Sequence, residues 1–280
     1  MTIFKNSEVL KKYLAPFQSS DSQIGFVPTM GALHKGHISL LEISKKKCAT
    51  TVCSIFVNPT QFNDVKDYEN YPITIGKDIL QLEKAGCDVL FLPRATEIYP
   101  TGINQLPEYD LGFLETILEG KYRPNHFQGV CQVVDILVNL VNPDVLFIGQ
   151  KDYQQCMVIK RLLKIVKSKV MVIIGSTCRE PSGLAMSSRN QRLTEPQKEQ
   201  ATAIYKMLLY IKQHINSITP NELSDFATTF LLSNGFNSVD YVCIADAATL
   251  EQISTVNSNP KVALIAAKIG DVRLIDNMLL

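Results

Sequence analysis

Phe26-Val-Pro-Thr-Met-Gly-Ala-Leu-His-Lys-Gly-His37, followed by Ile38-Ser-Leu-Leu-Glu-Ile-Ser-Lys-Lys-Lys47, decides the fold class. Ile24 to Val27 reads as a short buried strand that Pro28 stops, because proline brings no N–H to a ladder. A loop with Gly31 and Gly36 follows. A helix is expected from about His37, with Ile38, Leu41 and Ile43 on its apolar side and three lysines in its last turn, where the helix dipole favours cations. A strand, a glycine-bearing loop and a helix start make an anion site, since free backbone N–H groups and the positive helix end face the same place. His34 and His37 stand three residues apart, so one tight loop or first helical turn can aim both at one anion. Imidazole donates to phosphate oxygens at neutral pH, which suits charge stabilisation on a phosphoryl group during transfer. The plainer alternative is one helix-capping histidine and one partly buried one.

Working outward, strand and helix patterns alternate through the first half. A helix is expected over 5–15, a strand over Thr50 to Val57, a polar loop over 64–71, a helix over Thr74 to Ala85 closed by Gly86, and a strand over Asp88 to Leu92. Arg94 to Asp110 reads as irregular, and Gly120 to Gly129 as a basic loop before an apolar helix ending near Asn142. Asp144 to Ile148 is a strand, Gly149-Gln-Lys-Asp152 opens a helix to about Lys167, and Val170 to Ile174 is a further strand. This βα order implies an α/β, Rossmann-like, doubly wound parallel sheet over residues 1–176. Beyond it, a loop over Thr177 to Arg192 leads to a long helix ending near His214. Thr219-Pro-Asn-Glu222 has capping-box spacing, so a second helix runs to Asn234. Strands over Ser238 to Ala245, Lys261 to Lys268 and Val272 to Ile275 complete a smaller α+β C-terminal domain over 177–280 with an antiparallel sheet.

Four more constellations carry chemistry. Gln61 lies just past a strand end and offers a donor and an acceptor to a hydroxy acid, or else stabilises a turn. Lys151 can meet a phosphate at a second strand–glycine–helix junction, where Asp152 accepts from a ribose hydroxyl or caps the helix and Gln155 lies near the same mouth. Arg123 and His126 reach an anion from outside, or are solvated loop groups. Met186-Ser-Ser-Arg189 offers two hydroxyls and a guanidinium to a triphosphate.

Composition excludes several classes. A net charge of +1 provides no basic field for nucleic acid or an acidic membrane, and no apolar run reaches membrane-span length. Met1-Thr-Ile-Phe-Lys-Asn-Ser-Glu8 has no apolar core of a signal peptide. Seven cysteines without C-x-x-C pairing fit reduced core residues of a cytoplasmic protein rather than disulfides or zinc ligands.

Together, His34-Lys-Gly-His37, Phe56-Val-Asn-Pro-Thr-Gln-Phe62, Arg123-Pro-Asn-His-Phe-Gln-Gly-Val130, Phe147-Ile-Gly-Gln-Lys-Asp-Tyr-Gln-Gln155, Arg179 to Asn190 and Arg273-Leu-Ile-Asp-Asn277 resemble, in order, segments of the pantoate–β-alanine ligase family of the His-x-Gly-His nucleotidylyltransferase superfamily. Met186-Ser-Ser-Arg189 corresponds to the second superfamily signature. The resemblance implies ATP-dependent joining of pantoate to β-alanine through a pantoyl adenylate, with Mg²⁺ accompanying ATP, and a homodimer built through the first domain, the second acting as a lid. It assigns ATP binding to Met30, Gly31, Ala32, Leu33, His34, Lys35, Gly36, His37, Gly149, Gln150, Lys151, Asp152, Cys178, Met186, Ser187, Ser188 and Arg189. Of these, His37, His34, Lys151 and Arg189 are the catalytic expectations, and no residue is assigned as a metal ligand. Substrate binding falls to Gln61, Gln155 and Arg123. Ser182, Gln150 and Cys178 depart from the family pattern, where aspartate, glutamate and valine are expected. A nucleotidylyltransferase that keeps the nucleotide on its product would share the two histidines without needing Gln61 and Gln155. A regulatory nucleotide binder would not turn over.

Overall fold

The computed structural model describes residues 1–18, 22–63, 65–255 and 258–280. The chain divides into two compact units, Met1–Gln150 with Gln154–Ser176, and Lys151–Tyr153 with Thr177–Leu280.

The first unit runs β1 (Thr2–Phe4), α1 (Ser7–Gln18), β2 (Ile24–Thr29), α2 (Lys35–Lys47), β3 (Thr50–Ile55), α3 (Val65–Glu69), α4 (Ile75–Lys84), β4 (Val89–Phe91), α5 (Ala95–Ile98), α6 (Leu118–Tyr122), α7 (His126–Val141), β5 (Val145–Gly149), α8 (Tyr153–Ile165) and β6 (Met171–Gly175). Among the described residues its sheet has six parallel strands in the order β1-β4-β3-β2-β5-β6. Both faces are buried, as a parallel sheet requires. Alternation along each strand divides the core. Phe26, Val52, Phe91 and Leu146 face α1, α7 and α8, while Val27, Cys53, Leu90 and Phe147 face α2 and α4. The strand order reverses between β2 and β5, which makes their carboxyl ends the switch point where open α/β sheets bind ligands.

Several local expectations change here. β2 continues through Pro28 to Thr29. The Thr29 carbonyl accepts from Phe56 N–H on the β3 side, so Pro28 turns its nitrogen toward β5, where pairing has already ended at Phe26. The missing N–H therefore costs no ladder bond. α2 starts at Lys35, two residues before the expected position, because His34 takes the N-cap. β1 was not foreseen; it is three residues at the sheet edge and too exposed to show a buried-strand pattern. The polar segment after Asn63 forms α3, and position 64 of that expected loop lies outside the described residues. The irregular connection holds the single turn α5, and most of the expected basic loop is helical, split between α6 and the start of α7.

The second unit carries α9 (Glu195–His214), α10 (Pro220–Ser233) and the antiparallel sheet β7 (Ser238–Asp246), β8 (Lys261–Ile269), β9 (Val272–Leu279). Reciprocal caps Thr194/Gln197 and Thr219/Glu222 start the two helices, the second as its spacing implied. Ile204, Leu208 and Ile211 of α9 and Leu223 and Leu231 of α10 pack on Ala263, Ile265 and Ala267 of β8. β9 runs past the expected end at Ile275 because the polar pair Asp276 and Asn277, which breaks the apolar pattern, is buried and hydrogen-bonded.

All seven cysteines are free, and only Cys178 is not buried. Burial pushes the thiols up, Cys87 and Cys243 to about 11 and Cys131 to about 12, so these three are packing groups and not nucleophiles.

Candidate active site

The loop after β2 is built around reused hydrogen bonds. Thr29 Oγ1 donates to Ser54 O (2.7 Å) and accepts from Gly31 N–H (3.2 Å). Gly31 (φ +81°) and Ala32 (φ +48°) are both left-handed, which turns the next two N–H groups inward. They meet Asp78, fully buried on α4. Its Oδ2 accepts from Ala32 N–H (2.9 Å), and its Oδ1 accepts from Leu33 N–H (2.8 Å) and Thr74 Oγ1 (3.0 Å). Gln81 Nε2 donates to Leu33 O (3.4 Å). The chain's own carboxylate thus fills the anion position that the strand–glycine–helix pattern offers. Asp78→Ala leaves two buried donors without their acceptor and should lower unfolding stability by about 2 kcal/mol. Urea unfolding checks this, and a loss below ~0.5 kcal/mol, the ordinary surface-substitution range, would mean that the loop holds itself.

His34 is the N-cap of α2 and His37 its third residue. Gly36 N–H donates to His34 Nδ1 (3.2 Å), His34 N–H donates to His37 Nδ1 (3.3 Å), and the rings lie 4.0 Å apart. An Nδ1 that accepts from a backbone N–H carries no proton, so each ring bears its proton on Nε2. The capping reading therefore holds for both Nδ1 atoms, and it leaves each Nε2 outside the cap. The backbone N–H groups of Gly31, Ala32, Leu33, His34 and Gly36, expected to face a phosphate, already have acceptors inside the protein.

Gln61 is buried in a 3₁₀ turn (Pro59–Gln61) beyond β3. Its Oε1 accepts from Asn58 Nδ2 (3.2 Å) and its Nε2 donates to Met30 Sδ (2.9 Å). Asn58 Nδ2 also donates to Gly129 O (3.0 Å), and Tyr99 OH donates to Asn58 Oδ1 (2.7 Å). A side chain at Gly129 would stand 2.3 Å from Thr60 O, so only glycine lets α7 approach the turn. Arg123 and His126 brace the same turn. His126 Nδ1 donates to Gln61 O (2.7 Å), and Arg123 reaches His126 Nε2 (3.0 Å) and Gln61 O (3.4 Å). His126 is buried and Arg123 half-buried, so neither is a solvated loop group. On α8, Gln154 is tied to the backbone at Leu114, Ile117 and Glu119, while Gln155 beside it is half-buried. Gly149 ends β5, and nothing among the described residues comes within 4 Å of where its Cβ would stand.

The other expected residues belong to the second unit. Lys151 O accepts from Asn277 Nδ2 (2.8 Å), Tyr153 OH donates to Ala247 O (2.7 Å), and Lys151 Nζ lies 3.6 Å from the half-exposed Asp152. Met186 N–H donates to Cys178 O (2.9 Å), next to an Arg179–Ala185 bridge, and Ser187 Oγ accepts from Arg189 N–H (3.3 Å) as the cap of a 3₁₀ turn. Arg179 holds this hairpin. It pairs with buried Asp276 through two bonds (2.5 and 3.0 Å), donates to Gly183 O (3.1 Å) and lies over the Tyr205 ring at 4.4 Å. The expected residues thus form two sets, Met30 to His37, Gln61, Arg123, Gly149, Gln150 and Gln155 in the first unit, and Lys151, Asp152, Cys178 and Met186 to Arg189 in the second.

The family model described as pantoate-beta-alanine ligase matches residues 2–279. The chain belongs to the pantoate-beta-alanine ligase family. A pantothenate synthetase of Cytophaga hutchinsonii is 42% identical over 274 residues, covering 97% of this chain and 96% of that protein. One from Psychromonas ingrahamii is 39% identical over 280 residues, covering 99% and 96%. The crystal structure of pantothenate synthetase from Thermus thermophilus is similar at a TM-score of 0.92 and 35% identity, covering 99% of both chains. That of a pantoate-beta-alanine ligase from Francisella tularensis, complexed with beta-gamma ATP and beta-alanine, gives 0.83 and 38%, covering 100% of this chain and 97% of that one.

Within this family frame, sequence reading passed over Asp78, Asn58, Tyr99 and Arg179, and assigned no role to Asp276 or Asn277 inside the quoted Arg273 to Asn277 segment. Asn58 stood inside a quoted motif and carried a signal. Arg179 likewise opened a quoted segment, while a lone aspartate in a helix and a tyrosine before Pro100 carry none, because their partners lie far along the chain. Among the departures, Ser182 is exposed, and Gln150 N–H donates to Gly175 O (2.8 Å) through the backbone that any residue has.

Proposed function

We propose that this chain condenses pantoate with β-alanine at the expense of ATP, releasing AMP and pyrophosphate through a pantoyl adenylate. The pantoate carboxylate oxygen attacks the α-phosphorus, the bond to the bridging oxygen breaks, and pyrophosphate leaves. The amine of β-alanine then attacks the acyl carbon, the acyl–phosphate bond breaks, AMP leaves, and the amine proton passes to solvent. Neither step needs a protein nucleophile; both need positioning and charge stabilisation. The Nε2–H groups of His34 and His37 donate to phosphate oxygens, and Lys151, Ser187, Ser188 and Arg189 hold the triphosphate. Gly149 and Asp152 contact the nucleoside, Gly149 because it leaves room for close approach. Cys178, Met186 and Gln150 border the nucleotide. Met30, Gly31, Ala32, Leu33, Lys35 and Gly36 shape its phosphate side. Gln61 and Gln155 hold pantoate, Gln61 also meets β-alanine, and Arg123 acts on substrate through the Gln61 turn.

ATP enters as its Mg²⁺ complex. Its ion is carried by phosphate oxygens and water, as Mg²⁺ usually is with a nucleotide. No helix of the described residues is long and apolar enough to cross a membrane. A cytoplasmic setting accords with seven free thiols. A homodimer belongs to the same reading and rests on the family resemblance, as does the lid role of the second domain.

The observation that carries the reading is the reciprocal His34–His37 cap at the carboxyl end of β2, in a chain matched by the family over residues 2–279. The test is ATP–pyrophosphate exchange. Exchange should require pantoate and proceed before β-alanine is added. An absolute requirement for β-alanine would overturn the adenylate route, and exchange indifferent to pantoate would point to another nucleotidyl transfer.

A further inference from the structure

The amide of Gln61 has two possible orientations, and a chain of buried groups selects one. Two backbone groups that cannot rotate settle Asn58 first. Gly129 O only accepts, so it takes an Nδ2 hydrogen (3.0 Å), and Thr60 N–H only donates, so it faces Oδ1 (3.4 Å). With Asn58 settled, its second Nδ2 hydrogen points at Gln61, which must answer with Oε1 (3.2 Å) and turn Nε2 to Met30 Sδ (2.9 Å). Reversing Gln61 would set two NH₂ groups against each other. Asn58 is 1% exposed and Gln61 9%, so water cannot repair a misplaced bond. The bonds to Oδ1 from Thr60 are long, 3.4 Å from N–H and 3.1 Å from Oγ1. The short one comes from Tyr99 OH, at 2.7 Å, on a residue 41 positions further along the chain and itself 5% exposed.

We infer that Tyr99 is a positioning residue for pantoate, acting through Asn58 to hold the Gln61 amide with one Oε1 lone pair and one Nε2 hydrogen directed at a hydroxy acid. This rests on the reading that Gln61 holds pantoate. The hydroxyl of Tyr99 touches no reacting group in this scheme. Its ring packs with Phe56 (centroids 6.2 Å), so Tyr99→Phe keeps the packing and deletes the hydroxyl, whose other contact is Thr60 Oγ1 at 3.5 Å.

The test is the pantoate and ATP dependence of exchange by the full chain for Tyr99→Phe, Gln61→Ala and the double variant. Tyr99→Phe should raise the pantoate KM about three- to tenfold, the loss of one buried hydrogen bond, and leave the ATP KM unchanged. In the Gln61→Ala background the same change should add nothing, because the group it positions is gone. A Tyr99→Phe enzyme with unaltered pantoate KM, with both KM values raised together, or with an effect that persists in the double variant overturns the inference. If Gln61→Ala itself leaves the pantoate KM at the wild-type value, the reading of Gln61 has failed, which is a separate result from failure at Tyr99.

Discussion

His37→Ala should cut the adenylation rate by about 10²–10³, the usual effect of removing one donor aimed at developing charge. ATP affinity should change little if, as proposed, the imidazole Nε2–H gains contact only as negative charge shifts onto the transferring phosphate. His37 also closes the cap of α2 by accepting His34 N–H on Nδ1 (3.3 Å), so the alanine variant loses a structural bond too. His37→Glu separates the two. A glutamate at the third helical position restores the reach-back bond of a capping box and, ionised, has no hydrogen to donate. It should regain the stability of α2 and stay slow. Supplying preformed pantoyl adenylate should return much of amide formation in both variants, since that step bypasses transfer at the α-phosphate. A variant that is equally slow with the preformed adenylate would place His37 in the second step or in the fold.

Arg179→Met should destabilise the second unit by about 3–5 kcal/mol, the cost of leaving one partner of a buried ion pair uncompensated. Asp276 is 5% exposed and takes two bonds from the guanidinium. Burial pushes its carboxyl up from the ordinary range, and Arg179 pulls the other way. Removing the arginine takes away the largest force opposing burial, leaving the Asn277 N–H and the Lys151 charge. The native carboxyl then keeps its proton to higher pH than the unfolded chain does. Between those two pKa values the native state binds more protons, so stability falls as pH rises. Urea unfolding should show a smaller deficit near pH 5 than near pH 8, and Arg179→Met with Asp276→Leu should recover most of the loss. A deficit that is independent of pH and undiminished in the double variant would trace the effect to lost packing on Tyr205 instead.

What could be read without the structure was local. Strand–helix alternation reports the two buried faces of a parallel sheet, because each strand and helix writes its own burial into adjacent residues. The Thr219-Pro-Asn-Glu222 cap is legible for the same reason: all its hydrogen bonds close within four residues. The histidine pair was legible as a pair, but not the division of labour between Nδ1 and Nε2, which needs the position of the Gly36 and His34 N–H groups. Pro28 misled because its cost depends on whether a neighbouring strand is there to receive an N–H, and strand order is not a local property. Arg123 and His126 were open between an anion contact from outside and solvated loop groups, because nothing nearby shows that the Gln61 carbonyl, some sixty residues earlier, lies beneath them.

The amino-acid sequence by itself therefore determined the layer architecture and those helix starts whose caps close locally, such as Thr219. Only the tertiary structure decided how the buried polar groups are held. Asp78 meets Ala32 across 46 residues, Asn58 meets Gly129 across 71 and Arg179 meets Asp276 across 97. A polar side chain specifies a partner only once packing has removed water from both, and which two groups are dried together is settled by the closure of the whole chain.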